Sequence, residues 1–114
     1  HGSKDAIVPY EGGASPVGGI TFPPVHRAAS EWARALGCDG LPTISRAAAD
    51  VELSTYRRCT DEDGEALLYT VLDGGHTWPG AAVDLPVDIV GVTTHAISAN
   101  ELMLDFFEAH PGDR

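Results

Sequence analysis

Residues 74–80, which read GGHTWPG, are the segment that decides the fold. They follow an apolar run at residues 66–72 that predicts a β-strand. The glycines before His76 and the Trp-Pro-Gly after it favour a tight loop with room around the imidazole. A histidine on a loop at the end of a strand is a typical general base of α/β enzymes. A lone turn histidine more often has no chemical role, so this interpretation needs a second segment to support it.

The second segment is residues 1–13, which read HGSKDAIVPYEGG. Its acidic residue, Asp5, sits in a stretch rich in glycine and proline. Taken alone, Asp5 is expected to cap its loop by accepting hydrogen bonds from the backbone at residues 6 and 7, a common role of aspartate. The two segments become informative when they are considered together.

Together these segments resemble a known family. Residues 1–13 resemble the loop that carries the acidic triad member in secreted polyhydroxybutyrate depolymerases and related feruloyl and acetyl esterases. Residues 75–80 are similar to that family's histidine loop, and residues 98–107, SANELMLDFF, to its closing helix. The resemblance covers nearly the whole chain in the same order. It implies an α/β fold, with residues 1–114 forming the C-terminal portion of a single α/β-hydrolase catalytic domain.

The resemblance also implies a role for individual residues. Asp5 would be the acid and His76 the base of a Ser-Asp-His triad that cleaves carboxylic esters, including polyesters or acylated carbohydrates. Trp78 would line the substrate cleft, although packing of the loop explains it equally well. His1 matches the family's loop histidine before glycine, for which we expect a backbone or packing role.

The sequence lacks the motif that carries the serine nucleophile of such a triad. No G-x-S-x-G elbow occurs in the sequence, and none of the serines has that glycine spacing: Ser3, Ser15, Ser30, Ser45, Ser54 and Ser98. Since the triad runs serine, acid, histidine along an α/β hydrolase, we expect the nucleophile and half of the oxyanion hole upstream of residue 1. The isolated chain would then be inactive.

A non-catalytic role is the alternative. The chain could reuse the C-terminal elements of the fold as a binding or assembly unit. A chain without the central parallel strands exposes sheet edges, which pair readily with other chains. Either an upstream catalytic segment or a second copy of the chain is therefore expected to complete the sheet.

Composition and net charge limit the classes of partner that we expect the chain to bind. The chain has 114 residues, is 43% apolar and carries a formal charge of -10, which indicates a globular protein with a solvated surface. That charge argues against binding to nucleic acid or to an anionic membrane. No cofactor is predicted, and no metal site either, since the spacing of His1, Asp5 and His76 gives a metal no particular support.

Two cysteines, Cys38 and Cys59, leave two possibilities open. No C-x-x-C pair or histidine cluster accompanies them, so their pattern does not indicate a zinc site. They form one disulfide in an oxidising compartment or remain two buried thiols. The resembled family has cysteines at similar places, which favours the disulfide and a secreted or periplasmic location.

Local patterns predict two main helices, a β-hairpin and long loops. The first helix covers residues 25–36, with Trp32 as a core anchor on its apolar face. Strands at residues 51–59 and 66–72 form a hairpin around an acidic turn at residues 60–64. Three segments are predicted as loops: residues 5–24, 39–49 and 81–94, the last with an extended piece at residues 88–92.

The second helix is predicted to begin at the capping box of Ser98 and Glu101. Its buried face would comprise Leu102, Phe106 and Ala109, with Met103 and Phe107 alongside. The remaining histidines, His26, His95 and His110, are assigned no function.

Overall fold

The computed structural model describes residues 1–60 and 64–112, and it contains both helices and strands. In chain order the elements are β1 Gly13–Ala14, β2 Thr21–Phe22, α1 Val25–Ala35, β3 Thr43–Ala48, β4 Val51–Tyr56, β5 Ala66–Val71, α2 Val87–Val90 and α3 Ala99–Ala109. Strands β3, β4 and β5 form one sheet in that order, and β1 and β2 form a separate pair. The short β1–β2 pair lies within the segment predicted as an irregular loop.

The predicted hairpin is confirmed. Strands β4 and β5 pair antiparallel, with Val51 opposite Val71 and Leu53 opposite Tyr69. Val51 is fully buried, and Tyr56 and Val71 are nearly so, which places the core of the chain along this pair. Of the acidic turn predicted between the strands, residues 61–63 lie outside the described residues.

Strand β3 corrects the prediction of a loop at residues 39–49. It pairs antiparallel with β4, with Ile44 opposite Ser54, and a register shift between Arg46 and Ala48 ends the regular pairing. It lies at the edge of the sheet, and most of its residues are exposed. An exposed edge strand has no buried face that requires apolar and polar residues to alternate. The sequence pattern therefore did not predict this strand.

Two parallel bridges extend the sheet beyond β5. Gly2 bridges Val71, and Gly74 bridges Val92, both in the parallel sense. At the first bridge Val71 N–H donates to His1 O at 2.9 Å and Ser3 N–H donates to Val71 O at 2.8 Å. Parallel neighbours end at the same edge of a sheet. The loops that follow residue 3 and β5 therefore leave from one edge, and this brings their polar side chains together.

Helix α1 begins and ends as predicted to within one residue, but its buried face differs. Ala33 is its only buried residue, whereas Trp32, predicted as a core anchor, is 71% exposed. The helix contacts β5, and this contact leaves Trp32 uncovered.

Helix α2 corrects the extended piece predicted at residues 88–92. It is a single turn that begins after Pro86, whose carbonyl accepts from Val90 N–H at 3.1 Å. Proline suits the start of a helix because it lacks the N–H that would remain unpaired there. Within residues 88–92, only Val92 joins a β-bridge.

Helix α3 confirms the predicted cap. Ser98 is the N-cap, and its Oγ accepts from Glu101 N–H at 3.3 Å. The predicted face is only partly covered, since Leu102 and Phe106 are half-buried while Ala109 is exposed. Among the described residues, no helix is both long enough and apolar enough to cross a membrane.

Cys38 and Cys59 form a disulfide, as the resemblance implied. It joins the segment after α1 to the segment after β4, close to the hydrogen bond from Thr60 N–H to Leu36 O at 3.2 Å. The bond closes a loop with a sequence separation of 21 residues. It therefore removes conformational freedom mainly from the unfolded chain.

Loss of this disulfide is expected to lower the free energy of unfolding by about 3 kcal/mol. The comparison is urea unfolding of the protein with and without reductant, beside a variant that carries both Cys38→Ser and Cys59→Ser. The variant should match the reduced protein and show no response to reductant. Equal unfolding midpoints for the oxidised and reduced protein would show that the bond contributes nothing.

Candidate active site

Asp5 and His76 meet at the edge where the two loops leave the sheet. The Nδ1 of His76 lies 2.9 Å from Oδ2 of Asp5. The carboxylate is 4% exposed and the imidazole 46%. Because an ionised carboxylate can only accept, Nδ1 carries the hydrogen of this bond, and the neutral imidazole presents the lone pair of Nε2. An imidazole held in this tautomer can take a proton at Nε2.

The other oxygen of Asp5 holds its own loop. Oδ1 accepts from the backbone N–H of Ile7 at 2.9 Å and of Val8 at 2.7 Å. The capping role and the contact with His76 thus occur together, one on each oxygen, and the capped residues are 7 and 8 rather than 6 and 7. The backbone therefore fixes Oδ1 of the carboxylate, while Oδ2 faces the imidazole.

His1 makes a third contact to the carboxylate. Its Nε2 lies 2.9 Å from Val8 O and 3.3 Å from Asp5 Oδ2. The ring also packs on Tyr10, with centroids 5.9 Å apart. The predicted packing role is thus present, but the polar contact to Asp5 was not predicted. The neighbouring sequence gives no signal for it, because it depends on how the acid loop folds back over residue 1.

Glycines allow the backbone segments around His76 to approach each other. A Cβ at Gly2 would overlap the carbonyl oxygens of Gly74 and Gly75, and a Cβ at Gly75 would overlap the carbonyl oxygen of Val90. At that point His76 N–H donates to Val90 O at 2.6 Å, which fixes the start of the histidine loop. These glycines are therefore required for close packing of backbone on backbone.

The substitution Gly75→Ala is expected to lower the free energy of unfolding by roughly 1–3 kcal/mol, because backbone atoms of residues 90 and 91 must move to admit the methyl group. Gly112→Ala is the matched control, since nothing lies within 4 Å of a Cβ at that position. Urea unfolding of both variants measures the difference. If the two variants unfold alike, the close approach at Gly75 does not constrain the loop.

A cavity of about 470 Å³ opens beside the pair. Asp5, His76 and Trp78 line it together with β5 and with α3, which contributes the partly exposed side chains of Met103 and Phe107. Trp78 lies in this cavity wall, 51% exposed, and its indole N–H donates to Asn100 Oδ1 at 3.0 Å. The ring therefore both lines the cavity and ties the histidine loop to α3. The contribution of α3 to the cavity was not predicted.

Tyr69 supplies a phenol to the wall of this cavity. Burial raises the pKa of Tyr69 above its usual value, and Glu65 and Asp105 shift it further in the same direction. The phenol is therefore uncharged around neutral pH. Within residues 1–60 and 64–112, no group of three or more histidine, cysteine or acidic side chains is arranged to hold a metal ion.

His95 and His110 lie apart from this cavity wall, whereas His1 is part of it. His95 pairs with Asp84 through Nε2 at 2.9 Å, and both side chains are more than half exposed. His110 lies at the end of α3, where its Nδ1 is 2.8 Å from Phe106 O and its ring stacks on Phe106. Neither residue lines the cavity that holds His76.

In comparisons with known proteins, no family model, curated protein or solved structure matches this chain.

Proposed function

We propose that this chain supplies the acid and the base of a serine carboxylesterase, with Asp5 orienting His76 and His76 transferring the proton. The observation that carries the proposal is the 2.9 Å contact between Asp5 Oδ2 and His76 Nδ1 at the wall of an apolar cavity. In a serine esterase the histidine takes the serine proton during attack and returns a proton to the leaving alcohol. A buried carboxylate on Nδ1 stabilises the imidazolium that forms between these steps.

The arrangement of the loops supports an α/β-hydrolase fold, of which these residues would form the C-terminal portion. In that fold the acid precedes the histidine along the chain. Asp5 follows the bridge at Gly2, and His76 follows β5, which is its parallel neighbour. The order of the residues, the parallel pairing and the resemblance of both loops to esterase loops agree with one another.

The nucleophile in this proposal comes from another polypeptide segment. Among the described residues, no serine lines the cavity. Ser3 and Ser98 use their hydroxyl groups as acceptors for the backbone N–H of Asp73 and Glu101. Thr77, the hydroxyl residue next to His76, donates to Val92 O at 3.1 Å. These hydroxyl groups are already hydrogen-bonded to backbone groups, so we assign none of them as the nucleophile.

The exposed apolar face of α3 supports the same conclusion. Leu104 is 60% exposed and Phe107 62%. Apolar surface of this kind, next to a cavity that also exposes His76, fits a segment that buries it and brings a serine to Nε2. We call the protein in which the serine-bearing segment is joined to or paired with this chain the assembled esterase.

The cavity also favours a substrate class. Trp78, Met103 and Phe107 give the wall near His76 an aromatic and apolar character. Such a wall suits the acyl part of a polyester or of an aromatic ester. The disulfide accords with an oxidising compartment, and we propose secretion or export to the periplasm.

Covalent labelling tests the proposed function. A fluorophosphonate reacts with a serine that a neighbouring histidine activates. In the natural gene product that contains residues 1–114, we expect peptide mapping to find the label on a serine outside this sequence. The isolated chain should neither take up the label nor hydrolyse a short-chain nitrophenyl ester. Absence of any labelled serine in the natural product, or labelling that survives His76→Ala, would overturn the proposal.

Assembly without catalysis gives a different result. If the apolar face of α3 binds a second copy of this chain, light scattering of the natural product will show a stable dimer and the fluorophosphonate will label nothing. The assembled esterase instead combines one reactive serine with each copy of the Asp5–His76 pair. The two measurements together therefore separate the catalytic proposal from its alternative.

A further inference from the structure

His1 contacts the carboxylate of the proposed triad at an oxygen that no backbone group holds. The Oδ1 of Asp5 accepts two backbone N–H groups, whereas Oδ2 faces His76 and His1. The backbone contacts fix Oδ1. The orientation of the carboxylate plane then depends on the side chains that contact Oδ2. The polar contact of His1 with Oδ2 therefore affects how well that oxygen stays directed at His76 Nδ1.

The partners of His1 determine which of its nitrogens carries the hydrogen. Its Nε2 faces two groups that can only accept: Val8 O at 2.9 Å and Asp5 Oδ2 at 3.3 Å. Nε2 therefore carries a hydrogen. Its N–H donates to Val8 O, and the 3.3 Å approach of Nε2 to Asp5 Oδ2 is a polar contact beside that bond. The same N–H closes the acid loop by joining its start to Val8.

The ring of His1 is held in place from its other side. It packs on Tyr10, whose hydroxyl lies 2.8 Å from Oγ1 of Thr70, a nearly buried residue of β5. The titratable side chains that contact the ring are Asp5 and Tyr10.

From this geometry we propose that His1 is a positioning residue: its Nε2–H, which donates to Val8 O and lies beside Oδ2 of Asp5, holds that carboxylate against Nδ1 of His76 and so keeps His76 in the tautomer that leaves Nε2 free to accept a proton. The inference rests on the proposed function for its catalytic meaning. It adds a fourth side chain, which acts on His76 through Asp5 and also lines the cavity.

Two substitutions separate hydrogen bonding from packing. His1→Gln keeps a donor near the position of Nε2 but removes the ring, whereas His1→Phe keeps a ring against Tyr10 but removes the donor. The readout is nuclear magnetic resonance of the imidazole nitrogens of His76 in the ¹⁵N-labelled chain. It reports which nitrogen carries the hydrogen and how fast the Nδ1–H exchanges with water.

In the unsubstituted chain we expect His76 to carry its hydrogen on Nδ1. His1→Phe should accelerate exchange of that hydrogen by roughly threefold to tenfold, the loss expected for one hydrogen bond, and should populate the other tautomer. His1→Gln should stay close to the unsubstituted chain. In the assembled esterase the same order should appear in kcat, with KM little changed, because the contact orients the base and not the substrate.

Three results would overturn this inference: both variants behave like the unsubstituted chain, both lose protection equally, or His1→Phe retains protection while His1→Gln loses it. The last result would assign His1 a packing role. The resonance measurement needs no ester, so it stands apart from the test of function. If fluorophosphonate labelling contradicted the esterase proposal, the resonance measurement could still confirm the role of His1 at the Asp5–His76 pair.

Discussion

Asp5→Ala is expected to lower the free energy of unfolding by about 2–4 kcal/mol, because it removes the acceptor of several donors at a nearly buried site. The backbone N–H groups of Ile7 and Val8 lose their partner, and both imidazoles lose the carboxylate. Urea unfolding measures the change. The expected range is below the sum of the separate contacts, since His76 is 46% exposed and water replaces part of its bond.

Asp84→Ala is the matched control for this loss. Asp84 also binds a histidine at 2.9 Å, but both side chains of that pair are more than half exposed. Exposed pairs of this kind contribute about 0–1 kcal/mol. If Asp84→Ala costs as much stability as Asp5→Ala, the loop contacts of Asp5 do not hold the site.

Asp5→Asn separates the structural role of this residue from its proposed chemical one. The amide oxygen can still accept from residues 7 and 8, so the loss of stability should be smaller than that of Asp5→Ala. The amide nitrogen then faces Nδ1 of His76 and favours the wrong tautomer. In serine proteases the corresponding change lowers kcat by about 10⁴, and we expect a loss of that order in the assembled esterase.

His76→Ala is expected to lower kcat of the assembled esterase by on the order of 10⁴–10⁶, with little change in KM. The reason is that the imidazole removes the serine proton in the transition state and contributes little to binding of the ground state. The measurement is steady-state hydrolysis of a short-chain nitrophenyl ester. Folding is checked in parallel by urea unfolding, so that a loss of rate is not a loss of structure.

His95→Ala is the control for the histidine substitution. His95 has the same kind of carboxylate partner as His76, but it lies outside the cavity wall. Its removal should leave kcat within about twofold of the unsubstituted enzyme, since surface substitutions away from special features change little. Comparable losses for His76→Ala and His95→Ala would mean that the cavity does not distinguish a catalytic histidine.

Local patterns predicted the elements that have a buried face or a cap. The hairpin of β4 and β5 and the start of α3 at Ser98 follow from alternation and from a capping box, which act over a few residues. Strand β3 was not predicted because most of its residues are exposed, so its sequence does not show the alternation of a half-buried strand. Trp32 was predicted to be buried because it lies on the apolar face of a helix. Periodicity identifies that face but does not show how much of it the sheet covers, and Trp32 is exposed.

The candidate site depended on a different kind of information. The resemblance of two loops paired Asp5 with His76, and the parallel bridges show how residues 71 positions apart come to lie 2.9 Å from each other. The contact of His1 with Oδ2, by contrast, arises only when the acid loop folds over residue 1. The cavity beside α3 requires packing across the whole chain, which spacing along the sequence does not record.

The central claim is that Asp5 and His76 act as one unit in ester hydrolysis. A double-mutant cycle in the assembled esterase measures this most directly, by comparing kcat for Asp5→Ala, His76→Ala and the variant that carries both changes. We predict that the double variant is no slower than His76→Ala alone, because Asp5 acts only through the imidazole. Losses that multiply in the double variant, or activity that survives both changes, would contradict the account.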